Sequence, residues 1–150
     1  MIPVKLSFEA FGPFSRKQII DFTMFENNRI FLISGATGSG KTTIFDAITF
    51  SLYGAASGST RSTDSFKSDF ADENTISYVE FEFIVRGARY TVHREPIQFR
   101  KKRNGRLVRE NSVAELYLEN GTIISGPQNV DVKIIDILGI NADQIGRAHV

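Results

Sequence analysis

Apolar and polar side chains alternate with a period of two in several short stretches of this 150-residue chain. Such alternation predicts strands that bury one face in a core and expose the other face to water. The stretches are residues 4–11, 78–85, 88–94 and 113–119, with a further short strand at residues 19–22. Turn-forming pairs, Gly12-Pro13 and Arg86-Gly87, separate neighbouring strands. The pattern therefore predicts an amino-terminal hairpin followed by an antiparallel sheet.

Two other stretches repeat with the period of a helix. The first covers residues 43–53 and ends near Gly54, and the second covers residues 129–138 and ends at Gly139, a residue suited to a left-handed terminator. The positions expected to face inward are Ile44, Ala47, Ile48 and Leu52 in the first helix, and Val130, Ile134, Ile135 and Leu138 in the second.

Residues 55–75 separate the first predicted helix from the third predicted strand. They are mostly Ser, Thr, Gly and Asp, with Phe66 and Phe70 as apolar anchors. Loops of this length are uncommon in compact domains and are often functional. The composition predicts a long mobile loop.

The sequence ISGATGSGKTTIFD joins an apolar run, residues 30–33, to the first predicted helix. The phosphate-loop spacing G-x-x-x-x-G-K-[ST] is matched by Gly35, Gly40, Lys41 and Thr42. The apolar run is typical of a buried strand, so the order is strand, loop, helix. Such a loop turns backbone N–H groups toward one anion, and the helix start adds unpaired amides and a positive dipole end. The predicted ligand is a polyphosphate, and the alternative is a glycine-rich turn that caps an ordinary helix.

Three side chains of this loop have distinct chemical roles. Lys41 is expected to reach the β and γ phosphates as the catalytic charge, and the Thr42 hydroxyl is expected to coordinate magnesium. Thr43 is expected to donate to the α phosphate. The predicted nucleotide-binding residues are Gly35, Thr37, Gly38, Ser39, Gly40, Lys41, Thr42 and Thr43.

Composition narrows the chemistry and the setting. The length and the 41% hydrophobic content are ordinary for one globular domain. With no cysteine and only two histidines, His93 and His149, neither disulfides nor a transition-metal site is expected. His93 is expected to be a partly buried strand residue without a catalytic role. No run approaches the roughly 20 apolar residues of a membrane span, so the protein is expected to be cytoplasmic.

Positive charge is concentrated in residues 100–109. Six of the 18 basic residues lie there, which leaves 12 against 17 acidic residues, a charge of −5, in the rest of the chain. Around an Asn104-Gly105 turn at the tip of a second hairpin, such side chains would neutralise nucleic-acid phosphates. The candidate DNA-binding residues are Arg100, Lys101, Lys102, Arg103 and Arg106. The alternative is a solvated hairpin tip.

The second half of a hydrolytic site is missing from the sequence. Residues 132–136 superficially resemble the apolar strand whose terminal aspartate holds magnesium in P-loop enzymes, but Lys133 interrupts the run and the apolar spacing is helical. Hydrolysis needs such an acidic residue and a group that positions the attacking water. The sequence therefore predicts a phosphate cradle without the remaining catalytic groups.

Several strings together are more specific than a phosphate loop. They are Phe11-Gly-Pro-Phe14, Ile20-Asp-Phe22, SGATGSGKTTIFDAITFSLYG from Ser34 to Gly54, and the later YVEFEF, RYTVHRE and ILGINADQ. The set resembles the amino-terminal segment of the SbcC family, the ATPase subunits of bacterial SbcCD nucleases and relatives of the SMC proteins. The resemblance implies an α/β P-loop NTPase, the amino-terminal half of an ABC-ATPase-like head, with an antiparallel β subdomain.

The resemblance also implies partners for this chain. A carboxy-terminal half, beyond a long coiled coil, would supply the magnesium-holding aspartate, the catalytic glutamate and the signature motif. Lys41 and Thr42 would contact ATP and Mg²⁺, two heads would dimerise around ATP, and hydrolysis would control an SbcD-type nuclease subunit acting on DNA ends. Alone, this chain would hydrolyse ATP poorly, and no membrane partner is expected.

The sequence departs from the family pattern at two places. Gly12-Pro13 stands where some relatives place a basic residue near the nucleotide, and residues 145–150 do not continue the family pattern, which indicates a foreign or truncated tail.

Two alternative functions remain open. The first alternative is a head half of an SMC or RecF-like tethering ATPase without a nuclease partner. The second is a P-loop kinase, for which Arg61 is the one candidate acceptor-side arginine.

Overall fold

A computed structural model of the chain describes residues 1–25, 32–55, 66–102 and 104–139. The strands are β1 (Ile2–Glu9), β2 (Gln18–Asp21), β3 (Tyr78–Val85), β4 (Ala88–Glu95), β5 (Gln98–Lys101), β6 (Leu107–Glu110), β7 (Val113–Leu118) and β8 (Ile123–Ser125). The helices are α1 (Lys41–Tyr53) and α2 (Pro127–Leu138), with a 3-10 turn at Thr23–Phe25.

Six strands form one antiparallel sheet in the order β2-β1-β3-β4-β7-β8, and β5 and β6 form a separate two-stranded sheet. The predicted hairpin of β1 and β2 is present, as is the β3–β4 hairpin with its two-residue turn. At that turn Arg86 and Gly87 have φ of 51° and 83°. Positive φ at both central residues matches the right-handed twist of the flanking strands, which is why this turn closes the hairpin.

One face of the large sheet is covered and the other is open to water. The covered face carries Leu6, Phe8, Val79, Phe81, Phe83, Val92, Ala114 and Leu116, all of them buried. The alternate positions carry polar side chains: Lys5, Glu80, Glu82, His93 and Glu115. Helix α1 packs against β3 and β4, and α2 packs against β7 and β8, so both helices lie on the covered face. The alternation predicted from the sequence is therefore the division between core and solvent.

Helix α1 packs the predicted residues toward the core, but its buried surface is wider than predicted. Ala47 and Leu52 are buried as expected, but Ile44 and Ile48 are only partly buried. Phe50 takes the central place. The same side also buries four polar side chains, those of Thr43, Asp46, Thr49 and Ser51. An apolar repeat could not predict the burial of these polar side chains, because it records apolar positions alone.

Helix α2 begins at Pro127, two positions before the predicted start, and proline is favoured at a first helical position because it lacks an N–H. Val130 and Ile134 are buried as predicted, but Ile135 is 42% exposed and Ile137 is buried instead. Successive helical residues point about 100° apart, so Ile135 cannot share the face that carries Ile134.

Only part of the predicted long loop lies within the described residues. Residues 66–68 are hydrogen-bonded to the residues that directly follow β1. Gly12 N–H donates to the Phe66 carbonyl oxygen at 2.8 Å, and Ser68 N–H donates to the Ala10 carbonyl oxygen at 2.8 Å. Phe66 is buried, as an anchor should be, but Phe70 is 78% exposed and anchors nothing. Residues 56–65, with Arg61, lie outside the described residues.

The predicted strand at residues 30–33 is not present in its described part. Ile30 and Phe31 lie outside the described residues, whereas Leu32 and Ile33 have no regular structure and Leu32 is 88% exposed. A strand needs a neighbour for its backbone N–H and C=O groups. Among the described strands, none pairs with this run.

Three strands are not apparent from the sequence pattern. The basic segment is not an irregular tip, because β5 and β6 pair from Gln98↔Glu110 to Lys101↔Leu107. We call residues 98–110 the basic hairpin. Strand β8 has only three residues, Ile123–Ser125, which is too short for a period to be visible.

A buried arginine joins the two helices. Arg94 of β4 donates from Nε to the Ser51 carbonyl oxygen at 2.7 Å and from Nη2 to that of Leu52 at 3.2 Å. Its Nη2 also lies 2.5 Å from Oδ1 of Asp131, near the start of α2. The last carbonyls of a helix have no partner inside the helix, and here a cation satisfies them.

We expect Arg94→Met to lower the free energy of unfolding by about 3 kcal/mol, because it leaves buried carbonyl oxygens and Asp131 without their partner. Urea denaturation would measure the loss. The control is Arg89→Met on the same strand, where the exposed guanidinium pairs with Glu82 and the loss should stay below about 1 kcal/mol. Equal losses in the two variants would contradict this account of Arg94.

Candidate functional site

The phosphate loop ends at Gly40, which is the residue before the first turn of α1. Gly40 has φ 88° and ψ 11°, and no side chain caps the helix. Within the loop, Ser39 N–H donates to the Ala36 carbonyl oxygen at 3.2 Å and closes a turn. The start of α1 therefore presents its backbone amides and its positive dipole end without a competing protein carboxylate or hydroxyl.

The Lys41 side chain folds back over the loop that precedes it. Its Nζ donates to the carbonyl oxygens of Gly35 and Ala36 at 2.5 and 2.7 Å. The ammonium group is thus held within the curve of the loop, next to the helix start. Thr42 is exposed, whereas Thr43 is buried and packs beside Gly12.

An open cleft of about 630 Å³ brings most of the predicted residues together. Its lining consists of Gly12, Pro13, Thr37, Gly38, Gly40, Lys41, Thr42 and Thr43. Gly35 and Ser39 are outside this lining, although Gly35 contributes a carbonyl oxygen to Lys41. Exposed amides, one ammonium group and the exposed hydroxyls of Thr37 and Thr42 fit a magnesium-bound polyphosphate, because such a ligand needs contacts of these kinds. The volume lies in the usual range for small-molecule sites.

The basic hairpin is partly neutralised by acidic neighbours. Arg100 Nη1 and Lys102 Nζ each lie 3.6 Å from a carboxylate oxygen of Glu110, and Lys101 Nζ lies 3.1 Å from Glu73. Arg106 is exposed at the turn. Arg103 lies outside the described residues. The structure gathers Arg100, Lys101 and Lys102 around an open cleft with Asn74 and Gly105, and Arg106 follows at the same turn.

The comparison with protein families decides what this arrangement belongs to. Residues 5–145 match the family model described as "AAA domain". The chain belongs to the AAA domain family. The match covers the described sheet, both helices and the phosphate loop, so the family assignment applies to the whole arrangement and not to the loop alone.

Curated relatives of this AAA domain are components of the SbcCD nuclease. This chain is 37% identical to the SbcC component of the SbcCD nuclease of Vibrio cholerae over 155 aligned residues, which cover all of this chain. It is 40% identical to the SbcC component of Staphylococcus aureus strain MRSA252 over 149 aligned residues, which cover 96% of this chain. The chain spans only 15% and 14% of the lengths of these relatives. The resemblance to the SbcC family is confirmed.

A solved structure supports the fold. The SMC head domain from Thermotoga maritima aligns with 89% of this chain and 42% of its own, at 27% identity and a TM-score of 0.50. The predicted fold class, a P-loop head with an antiparallel β subdomain, is confirmed by this neighbour and by the family match.

Three contributors to the site of this AAA domain are not identifiable as such from the phosphate-loop spacing. Gly12 and Pro13 line the cleft, and Phe14 touches Gly40, yet all three lie more than 20 positions before the loop. Their signal in the sequence is the string Phe11-Gly-Pro-Phe14, which indicates a family but not a contact. Contacts between elements far apart in sequence are set by tertiary packing, not by a local pattern.

Residues 132–136 are helical, as their apolar spacing predicts, and do not form a strand. Asp136 lies on α2, where it is exposed and pairs with Lys133 Nζ at 2.7 Å. Within the described residues, no group of three or more His, Asp or Glu side chains is arranged to hold a metal ion. The same part of the chain contains no helix that is long and apolar enough to cross a membrane.

His93 lies on the open face of the sheet between two carboxylates. Its Nδ1 is 3.8 Å from Glu80 and its Nε2 is 3.5 Å from Glu95, while Tyr78 stacks on the ring. Glu80 contributes most to raising the pKa of His93, and Glu95 adds to it, so that together they outweigh the opposing effect of partial burial. The residue has the half-buried strand position expected from the sequence.

The raised pKa of His93 predicts a loss of stability at higher pH. The protonated ring contributes stability that is complete below the ordinary pKa of 6.5 and is lost as the pH rises through the raised value. We expect the free energy of unfolding to fall between about pH 6 and about pH 8, and to fall less in His93→Gln. Urea denaturation at both pH values would measure it. Glu80→Gln should flatten the profile too, and an unchanged slope in His93→Gln would refute this origin.

Proposed function

We propose that this chain is the ATP-binding amino-terminal lobe of an SbcC-type ATPase head, which serves in DNA double-strand-break repair by controlling a nuclease subunit. The observation that carries the proposal is the cleft in which the Lys41 ammonium lies beside the uncapped start of α1. Identity of 37–40% to the SbcC component of SbcCD nucleases supports the cellular role, although the chain spans a small fraction of those proteins.

Different groups of the cleft would contact the phosphates of ATP and the bound Mg²⁺. Backbone amides from the loop and the first turn of α1 bind phosphate oxygens, and Lys41 exchanges its two carbonyl acceptors for phosphate. The exposed hydroxyl of Thr42 would coordinate Mg²⁺, and Thr43 would donate to the α phosphate. When bound, Mg²⁺ neutralises the charge that develops on the transferred phosphoryl group.

We propose that hydrolysis requires groups from outside this chain, which is supported by the position of Asp136 on α2, where it pairs with Lys133. We propose that a carboxy-terminal half of the head provides the metal-holding aspartate, the catalytic glutamate and the signature motif. ATP then joins two heads, and its hydrolysis separates them and switches the SbcD-type nuclease subunit.

A tethering ATPase of SMC type is the second candidate. The observation in its favour is the structural likeness to the SMC head domain from Thermotoga maritima. It shares the cradle and the head dimer but has no nuclease partner. Co-purification with an SbcD-type nuclease separates the two, because only the first candidate binds one.

We also propose that the basic hairpin binds DNA through phosphate contacts. Lys101, Lys102 and Arg106 are exposed, and the rest of the chain is net acidic, so the attraction is confined to this surface. The pairing of Arg100 and Lys102 with Glu110, and of Lys101 with Glu73, weakens this surface, so Arg106, which is exposed at the turn and has no ion pair with a described residue, is its strongest contributor.

For the nucleotide site, we expect Lys41→Ala to lower the affinity for ATP and for a slowly hydrolysed analogue by roughly 10- to 100-fold, because a charge-assisted contact to phosphate is lost. Isothermal titration calorimetry in the presence of Mg²⁺ measures both affinities. The control is Lys133→Ala on α2, which removes a partly exposed lysine whose ion pair is with Asp136.

Turnover measurements then distinguish the catalytic arrangements. The chain alone should hydrolyse ATP poorly, and addition of the carboxy-terminal half should restore hydrolysis. Rapid turnover by the chain alone, with phosphate transferred to an acceptor, would favour the kinase and reject the split head.

For the DNA site, we expect the double variant Lys101→Ala/Arg106→Ala to weaken binding of a labelled duplex and to reduce the slope of log affinity against log salt by about two, one for each lost phosphate contact. Fluorescence anisotropy at several salt concentrations measures the slope. The control is Arg86→Ala/Arg89→Ala, which removes equal charge at the opposite end of β4. An unchanged slope in the hairpin variant would mean that the hairpin tip is merely solvated and does not bind DNA.

A further inference from the structure

A tight turn at the exit of β1 lies directly against the phosphate loop. We call residues 11–14 the aromatic turn. Phe11 N–H donates to the Phe14 carbonyl oxygen at 2.9 Å, and Phe14 N–H donates back to that of Phe11 at 3.1 Å. Gly12, the first central residue, has φ 56°, which side chains other than hydrogen rarely allow. The two hydrogen bonds and the proline hold the turn in one conformation.

The ring of Phe14 occupies the space where a side chain of Gly40 would be. A Cβ atom built on Gly40 would lie 2.5 Å from Cζ and 2.6 Å from Cε2 of Phe14. At Gly38, which has a similar positive φ of 83°, a Cβ atom would meet nothing within 4 Å. Gly40 is therefore confined by a neighbouring ring as well as by its backbone conformation.

The other side of the Phe14 ring is anchored on the sheet. Phe14 and Phe8 pack edge to face, with centroids 5.4 Å apart and planes at 67°. Phe8 belongs to β1 and is buried. The ring thus lies between a residue of a rigid strand, Phe8, and the last residue of the phosphate loop, Gly40, and limits the movement of Gly40 relative to β1.

A second contact of the same turn reaches the first turn of α1. A Cβ atom on Gly12 would lie 2.8 Å from Cγ2 of Thr43. The aromatic turn therefore touches both the residue before α1 and the third residue of α1. Between these two contacts lie Lys41 and Thr42, the side chains assigned to phosphate and magnesium.

We propose that Phe14 is a positioning residue for triphosphate binding: its ring, seated on Phe8, holds Gly40 and thereby the amides and the lysine at the start of α1 in their binding arrangement. This inference rests on the proposed nucleotide site. Preorganisation of this kind raises affinity because the loop does not have to be ordered when the ligand binds. The contact is made by the edge of the ring on a backbone, so Phe14 need not touch the nucleotide.

The first test replaces the ring by a smaller apolar side chain in the purified 150-residue chain. We expect Phe14→Leu to lower the affinity for Mg-ATP roughly tenfold in calorimetry. Without nucleotide, the hydrogen-bonded amides of Ser39 and Ile44, which donate to the Ala36 and Gly40 carbonyl oxygens, should exchange with solvent roughly tenfold faster, because the loop opens more often. The matched control is Phe83→Leu, a fully buried ring opposite Pro3 at the far end of β1, which should lower stability but change neither readout.

The second test is a double-mutant cycle between the two residues in contact. Gly40→Ala should lower Mg-ATP affinity more in the native background than in Phe14→Ala, where the ring is absent. The strain of a positive φ is present in both backgrounds and cancels in the comparison. Equal losses would show that the ring does not confine Gly40, and the proposal would be rejected.

The outcomes separate this inference from the proposed function. If Lys41→Ala abolishes binding while Phe14→Leu leaves affinity and exchange unchanged, the nucleotide site stands and the positioning role fails. If Phe14→Leu lowers affinity without faster exchange in the nucleotide-free chain, the ring contacts the ligand directly, and positioning is again rejected. If no variant affects nucleotide binding but exchange still rises in Phe14→Leu, the positioning of the loop stands and the nucleotide function fails.

Discussion

The structure depends on a cluster of phenylalanine rings where the sheet, helix α1 and two loops meet. The ring centroid of Phe11 lies 6.1 Å from Phe8, 5.9 Å from Phe50 and 4.8 Å from Phe66. Aromatic pairs at such separations contribute roughly 1 kcal/mol each beyond their buried area. The cluster joins β1, α1 and residues 66–68, which are far apart in sequence. Phe50 lies in the last turn of α1, so this apolar contact holds the helix against the sheet, while the start of α1 is contacted by the aromatic turn that continues from Phe11.

The unpaired backbone groups at the two ends of α1 differ in whether a protein side chain satisfies them. At the carboxy-terminal end, the buried Arg94 satisfies the Ser51 and Leu52 carbonyl oxygens and complements the negative end of the helix dipole. At the amino-terminal end no side chain caps the helix, so the amides stay available. A cation inside the protein thus stabilises one end, while the other end is left for an anion from solution.

Residues 66–68 connect the two candidate binding surfaces. Phe66 accepts a hydrogen bond from Gly12 beside the phosphate loop, and Lys67 Nζ donates to the Phe99 carbonyl oxygen in the basic hairpin at 3.2 Å. Burial is the main cause that lowers the pKa of Lys67, and nearby Arg100 adds to it. One short segment, residues 66–68, therefore contacts the aromatic turn beside the phosphate loop through its backbone and the basic hairpin through the Lys67 side chain.

The sequence by itself determined the phosphate loop, the alternating strands and the family, because each of these is a local pattern: a spacing around Lys41, a period of two, a string of adjacent residues. Only the tertiary structure decided that Phe50 and short polar side chains of α1 are also buried and that Ile135 is exposed. It also decided that Phe14 and Arg94 support α1 from positions 26 before Gly40 and 41 after Tyr53 in the chain. Burial depends on what packs against a surface, and the partners of α1 come from the aromatic turn, β4 and residues 66–68. A local pattern contains no information about such partners, because they meet only when the chain has folded.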